Sequence, residues 1–198
     1  MKRIYLIMAV VVALMMMSFN PMDEDNNNPA GNGSNGGGGS SNNKINGYEY
    51  VDLGLPSGLK WATCNVGANK PEDFGTNMNY DEALVAYKYW GGSWRMPTIG
   101  EMQELDDNCE FESTQYNGVD GIKVIGPNGN AIFLPSAGFC RSTYVEYESH
   151  GCYWSSTPRE NAYVDYHDSF YLCCGDGFAA VNWYISRGYG LNVRPVSE

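Results

Sequence analysis

The last third of the chain, from Phe139 to Val196, contains no Lys, no Gln and no Met. Every Met lies at or before Met102, and every Lys at or before Lys123. Basic residues are scarce throughout: 12 Lys and Arg stand against 23 Asp and Glu, for a net charge of −11. That deficit excludes a nucleic-acid partner, because phosphate binding needs clustered Lys and Arg. It also excludes an electrostatic membrane anchor and leaves an ordinary soluble, acidic surface. What fills the last third has two textures. Bulky framework residues recur at Tyr153, Trp154, Trp183, Arg194 and Pro195. Between them lies a mixture dominated by Tyr, Asp, Ser, Gly, Cys, His and Asn. This reads as a fixed scaffold carrying a displayed surface.

The 198 residues suit one domain with appendages. Met1-Lys2-Arg3 and the apolar run Ile4 to Phe19 form the basic and hydrophobic regions of an export signal. At about 16 apolar residues the run falls short of a comfortable bilayer span. No A-x-A pattern marks a cleavage site, so residues 1–22 are read as a signal peptide or an uncleaved signal anchor. No Cys stands near Asn20-Pro21, which removes lipoprotein attachment there. Residues 23–46 are rich in Asn, Gly and Ser and have almost nothing apolar to bury. They are expected to be a flexible tether. The folded domain is expected from Gly47 to residue 198, exported to the cell envelope surface or secreted. No membrane contact is expected beyond the signal.

Within the domain, Tyr48 to Leu53 alternates like a strand, Leu55 to Gly58 is a turn, and Leu59 to Val66 reads as a second strand. Asn79 caps a first helix with Ala83, Leu84, Tyr87 and Trp90 on one face, ended by Gly91-Gly92. Thr98 and Glu101 have capping-box spacing for a second helix, with Met102 and Leu105 inward and Asp107-Asn108 at its end. Gly121 to Ile125 and Ala131 to Leu134 are strands across Pro127-Asn128-Gly129. The rest reads as short strands broken by Gly, Ser, Asn and Pro, with Leu191 to Val196 as a closing strand. Two helices followed by irregular strands predict an α+β domain.

Six segments occur in a specific order: Val51-Asp52-Leu53-Gly54-Leu55, Lys60 to Ala68, Trp94-Arg95-Met96-Pro97-Thr98, Phe133 to Gly138, Tyr153-Trp154-Ser155-Ser156 and Val193-Arg194-Pro195-Val196. Together they resemble the Fibrobacter succinogenes major paralogous domain family, common in gut Bacteroidetes. The resemblance covers Gly47 to the C-terminus. It implies a C-type-lectin-like fold: two short helices, small antiparallel sheets joining the termini, and a long irregular loop region bearing the binding face. Lectins of this fold bind calcium and sugar through Glu-Pro-Asn or Gln-Pro-Asp with Trp-Asn-Asp. None of these triplets occurs here, and the spacing of Asp165, Asp168 and Asp176 matches no calcium loop. No metal and no cofactor are expected.

The stretch 139–192 also resembles the variable segment of diversity-generating retroelement target proteins, which use this fold. There, adenines in Asn codons are randomised. The products include Tyr, Asp, Ser, His, Cys, Gly, Phe, Val and Ala but exclude Lys, Gln, Met, Trp and Glu. Asp165-Tyr166-His167, Cys173-Cys174-Gly175-Asp176 and the residues around Trp183 fit this origin. Glu146, Glu148 and Glu160 do not come from that codon. On either origin the chemistry suits binding, since Tyr offers amphipathic contact area at low entropy cost and Ser, Gly and Asn adapt their hydrogen bonds. Tyr144, Tyr147, Asp165, His167, Tyr171, Asp176, Asn182, Tyr184 and Tyr189 are the expected ligand-binding residues, clustered on one exposed face. The expected partner is a protein or glycan on a cell or phage surface.

Six cysteines in an exported chain raise the question of disulfides. Cys64 and Cys109 are read as buried thiols or a pair. Cys140 and Cys152 are candidate partners for Cys173 or Cys174, whose mutual bond is disfavoured by geometry. His150 with Cys152 invites Cys-His catalysis, but no orienting group or oxyanion motif accompanies them. Enzymes of the formylglycine-generating branch share the fold and use a cysteine pair that has no counterpart here, so no enzymatic activity is expected. The competing reading is a structural envelope or fibre-associated module without a discriminating site. Trp61, Trp94 and Trp154 are assigned to packing, and Trp183 is the exposed exception.

Overall fold

The computed structural model describes residues 43–141, 144–160, 167–175 and 177–198. The expected signal 1–22, the tether as far as residue 42, and Asp165 and Asp176 lie outside these residues. The described chain is α+β, with two short helices and several small antiparallel sheets.

Two Asn-Gly pairs set the hairpins. Asn46 and Gly47 both have positive φ (49° and 86°) and join β1 (Lys44–Ile45) to β2 (Tyr48–Asp52). A two-residue turn of this handedness matches strand twist, and Asn-Gly tolerates it best. Strand β1 thus lies ahead of the expected boundary at Gly47. Ile45 packs against the core, its carbonyl accepts from Trp94 Nε1 at 2.9 Å, and Asn46 Nδ2 donates to Trp90 O. β3 (Lys60–Ala62) follows and is shorter than the strand expected through Val66. The backbone turns at Asn65, where Ala68 N–H donates to Asn65 O at 3.0 Å.

Helix α1 (Tyr80–Ala86) continues as a 3-10 turn over Tyr87–Trp90 and stops at Gly91, φ 63°. Helix α2 spans Ile99–Asn108. Both begin with full capping boxes, Asn79 with Glu82 and Thr98 with Glu101. β4 (Glu110–Tyr116) and β5 (Val119–Ile125) meet at the second Asn-Gly pair, Asn117-Gly118, and β6 (Ala131–Pro135) completes their sheet. β7 (Phe139–Arg141) and β8 (Tyr144–Glu146) form a small hairpin. Three long strands, β9 (Gly151–Arg159), β10 (Asp168–Gly175) and β11 (Phe178–Ser186), then form an antiparallel sheet ordered β11-β10-β9. Here the expected irregular loop region is instead regular sheet over most of its described length. Its Tyr, Trp, Phe, Val and Cys fill a pleated surface well. Finally β12 (Val196–Ser197) pairs with β3, giving a sheet ordered β1-β2-β3-β12 that holds the first and last described strands at its two edges. The expected closing strand is interrupted by Arg194 and Pro195, and Pro cannot donate to a ladder.

The β9–β11 sheet divides two cores. Alternation sends Tyr153, Leu172, Cys174 and Val181 to one side, against Leu53, Trp61, Met102, Leu105 and Leu134. Cys152, Trp154, Tyr171 and Cys173 go to the other side, against Met78, Ala83, Trp94, Phe139 and Leu191. Arg194, 1% exposed, ties the halves together. Its Nε donates to Asn65 Oδ1 (2.8 Å), Nη1 to Ala62 O (3.1 Å) and Thr63 O (2.8 Å), and Nη2 to Phe133 O (2.9 Å). Burial lowers its pKa, and four oxygen acceptors in place of a carboxylate hold the charge.

Candidate binding surface

β11 is the edge of its sheet, and its outer residues carry the exposed aromatics. Register sorts them. Tyr171 faces Trp183, Phe170 faces Tyr184, and Gly175 faces Phe178. Between Tyr171 and Cys173 the register shifts, so Val181 and Asn182 together face Leu172. Successive side chains on a strand point to opposite faces, so Trp183 and Tyr184 leave β11 on opposite sides.

On the Trp183 side, aromatic rings run in a connected row. Tyr189 meets Phe139 edge-on at 5.5 Å, Phe139 stacks on Tyr147 at 5.2 Å, Tyr147 meets His150 at 5.6 Å, and His150 meets Phe178 at 5.6 Å. Trp183 packs edge-on against Tyr171 at 6.3 Å. Arg141 lies over the Tyr189 ring at 5.6 Å. Tyr144, at the tip of β8, is 76% exposed, and Trp183 is 42% exposed. Tyr147 has φ 57°, a left-handed conformation unusual for a bulky residue. Its carbonyl accepts from His150 N–H at 2.9 Å, which holds the turn that presents the ring. Strain of this kind concentrates where a surface has a task.

The other side of β11 is built differently. Arg159 stacks on the Tyr184 ring at 3.4 Å and pairs with Asp168 at 3.5 Å. This is a half-buried charge-aromatic cluster.

The expected residues therefore fall into three groups. Tyr147 and Tyr189 belong to the aromatic row, Tyr189 being half-buried, and Tyr144 is exposed on the neighbouring β8 hairpin. His167, Asn182 and Tyr184 are exposed, and Tyr184 sits on the opposite side of β11 from Trp183. Tyr171 corrects the expectation of one exposed face: it is 4% exposed, wedged between Trp154 and Trp183 across the sheet. Burial, with nearby Cys152 second, raises its pKa. It supports the surface from behind. Composition does not reveal register, and Phe178, His150 and Trp183 join the surface beyond the nine expected residues. A Trp between Asn182 and Tyr184 on a strand with no charged residue was the available signal.

Chemically the row offers ring faces and edges, phenolic hydroxyls and one guanidinium. Such a surface suits sugar rings or apolar and aromatic side chains of a partner. Cys152 is fully buried, and the neighbouring Cys173 thiol, together with burial, raises its pKa. His150 Nδ1 instead lies 2.9 Å from Ser149 Oγ. Among the described residues, no three His, Cys, Asp or Glu side chains are placed to hold a metal ion.

No family model, curated protein or solved structure matches the chain.

Proposed function

We propose that this protein is an exported ligand-binding module with a C-type-lectin-like fold, and that it binds a protein or glycan through the aromatic row flanking β11. It belongs, on this reading, with the Fibrobacter succinogenes paralogous domains and the target proteins of diversity-generating retroelements. The observation that carries the reading is the division between frame and surface. Tyr144, Tyr147, Phe178 and Trp183 are exposed, while Trp154, Tyr153 and Leu172 beneath them are buried on both sides of the sheet. Exposed rings on a rigid support lose little entropy on binding, and such aromatics dominate interface energetics.

The test is a binding screen of the full chain against cell-surface and phage-surface fractions and a glycan array, repeated with Trp183→Ala and Tyr147→Ala. Each variant is expected to lose about 2 kcal/mol of binding or more, roughly 30-fold in Kd, while thermal stability changes little. Binding unchanged in both variants removes the assignment. The retroelement origin has its own check: an Asn-rich template repeat near the gene that differs from the 139–192 segment only at adenines.

A further inference from the structure

Two of the cysteines stand opposite each other inside the β9–β10 ladder. Cys152 on β9 is the register partner of Cys173 on β10, and both are fully buried. The phase of the ladder follows from β9's other edge. Asn192 N–H donates to Cys152 O at 3.3 Å, and Trp154 N–H donates to Asn192 O at 2.9 Å. The main-chain groups of Cys152 and Trp154 thus point away from β10, and those of Gly151 and Tyr153 point towards it. Gly151–Cys174 and Tyr153–Leu172 are then the hydrogen-bonded pairs, and Cys152–Cys173 is a non-hydrogen-bonded pair. The β10–β11 side agrees: Arg187 N–H donates to His167 O, which places the Ser169 and Tyr171 main chain, and so that of Cys173, towards β11.

This phase decides the chemistry. In non-hydrogen-bonded antiparallel pairs the Cα atoms approach to about 4.5 Å and the side chains are closest. That lies within the roughly 4.4–6.8 Å a disulfide tolerates. The other thiols are excluded by position. Cys174 points to the opposite face of the sheet and donates to Gly151 O at 3.6 Å. Cys140 lies on β7 opposite Gly190 and accepts from Asn77 Nδ2 at 2.9 Å. Cys64 and Cys109 are half-buried and belong to neither strand.

We propose that Cys152 and Cys173 are the site of a cross-strand disulfide, formed as the protein folds in an oxidising compartment. The oxidant is the disulfide of a dithiol oxidase. One cysteine, as thiolate, attacks that disulfide and forms a mixed disulfide, releasing the oxidase's second sulfur as thiolate. The other cysteine, having lost its proton, attacks the mixed bond. The Cys152–Cys173 bond forms, and the oxidase leaves as a dithiol carrying the two electrons. Because both sulfurs are enclosed in the finished fold, exchange precedes closure of the second core, and the bond is afterwards shielded from reductant. Directly beside it on the same face lies the Trp154–Tyr171 pair that backs Trp183. The bond therefore fixes the strand pairing beneath the aromatic row.

The proposal needs an oxidising compartment and so rests on export. The test separates the two. The full chain is refolded in a glutathione redox buffer, unfolded with an alkylating agent present, and mapped with trypsin without reduction. The expected result is a link between peptides 142–159 and 160–187, with a mass about 2 Da below that of the separate peptides. The link persists in Cys174→Ser and disappears in Cys173→Ser. Reduction is expected to lower Tm by about 6–12 °C. Quantitative alkylation of Cys152 and Cys173 in the wild-type chain, or a link that survives Cys173→Ser, overturns the proposal. Mapping the chain isolated from its own cells then addresses export alone: a pair that links on refolding but is reduced there stands as a disulfide site and argues against export.

Discussion

At the scale of single residues, Arg194 is the most exacting position. Four oxygens accept from its guanidinium, and three of them are main-chain carbonyls from β3, the residue after it, and β6. Removing the side chain leaves those acceptors unpaired and opens a void between the cores. Arg194→Ala is expected to cost about 3–5 kcal/mol in urea unfolding. Arg194→Lys keeps the charge but loses the planar fork, and about 2–4 kcal/mol of loss is expected. The residue itself was legible as part of the recurring framework of the last third. Its partners were not, because they come from positions more than 60 residues away. The same limit explains Tyr171. Its type matches Tyr144 and Tyr147, and only the cross-strand neighbours Trp154 and Trp183 decide that it lies inside.

Among elements, the helices were the most readable because their signals are local. Asn79 with Glu82 and Thr98 with Glu101 announce two helix starts within four residues each. Gly91 and Asn108 mark their ends. Glu101 does more than cap. Arg95 Nη1 and Nη2 donate to its two carboxylate oxygens at 2.8 and 2.6 Å, and Thr98 N–H donates at 2.7 Å. Burial opposes its charge, but Arg95 and Thr98 outweigh burial, and its pKa lies below the usual carboxylate value. A carboxylate whose folded pKa is depressed adds stability above its unfolded pKa and loses it as pH falls through the folded value. Glu101→Gln is therefore expected to cost about 1.5–3 kcal/mol at pH 7 and much less at pH 2–3. Denaturant titrations of both proteins at the two pH values measure this. An equal cost at both would assign Glu101 a packing role only.

The strands were read unevenly. β5 and β6 were visible from their alternation around Pro127-Asn128-Gly129. β4 was not, because Glu110 to Tyr116 is polar on both faces and lies at a sheet edge, where burial imposes little pattern. Its one clear signal was the Asn117-Gly118 turn. β9 to β11 were hidden for the opposite reason. Both faces of β9 and β10 are buried, so alternation vanishes, and the Ser, Cys and Gly within them imitate loop composition.

For the whole molecule, the distribution of burial separates what must be conserved in shape from what is free to change. The frame holds Trp61, Trp154, Tyr153 and Arg194 away from water, while the aromatic row projects from one strand and one short hairpin. Substitutions at Tyr144 are expected to move stability by no more than about 0.5 kcal/mol, against about 3–5 kcal/mol for Trp154→Ala, in parallel thermal melts. The pairing of Val196 with Trp61 and Ser197 with Lys60 has a further outcome. Lys44 and Ser197 lie on strands at opposite edges of one four-stranded sheet and three residues apart along it, so roughly 17 Å separates them. A linker of roughly six residues bridges that gap. Circularly permuted, with residues 43 and 198 fused through such a linker and new termini cut between Asn117 and Gly118, the domain is expected to fold with its far-ultraviolet spectrum unchanged. By the same geometry it can be spliced into a loop of a host protein, which would display the aromatic row without distortion of either partner.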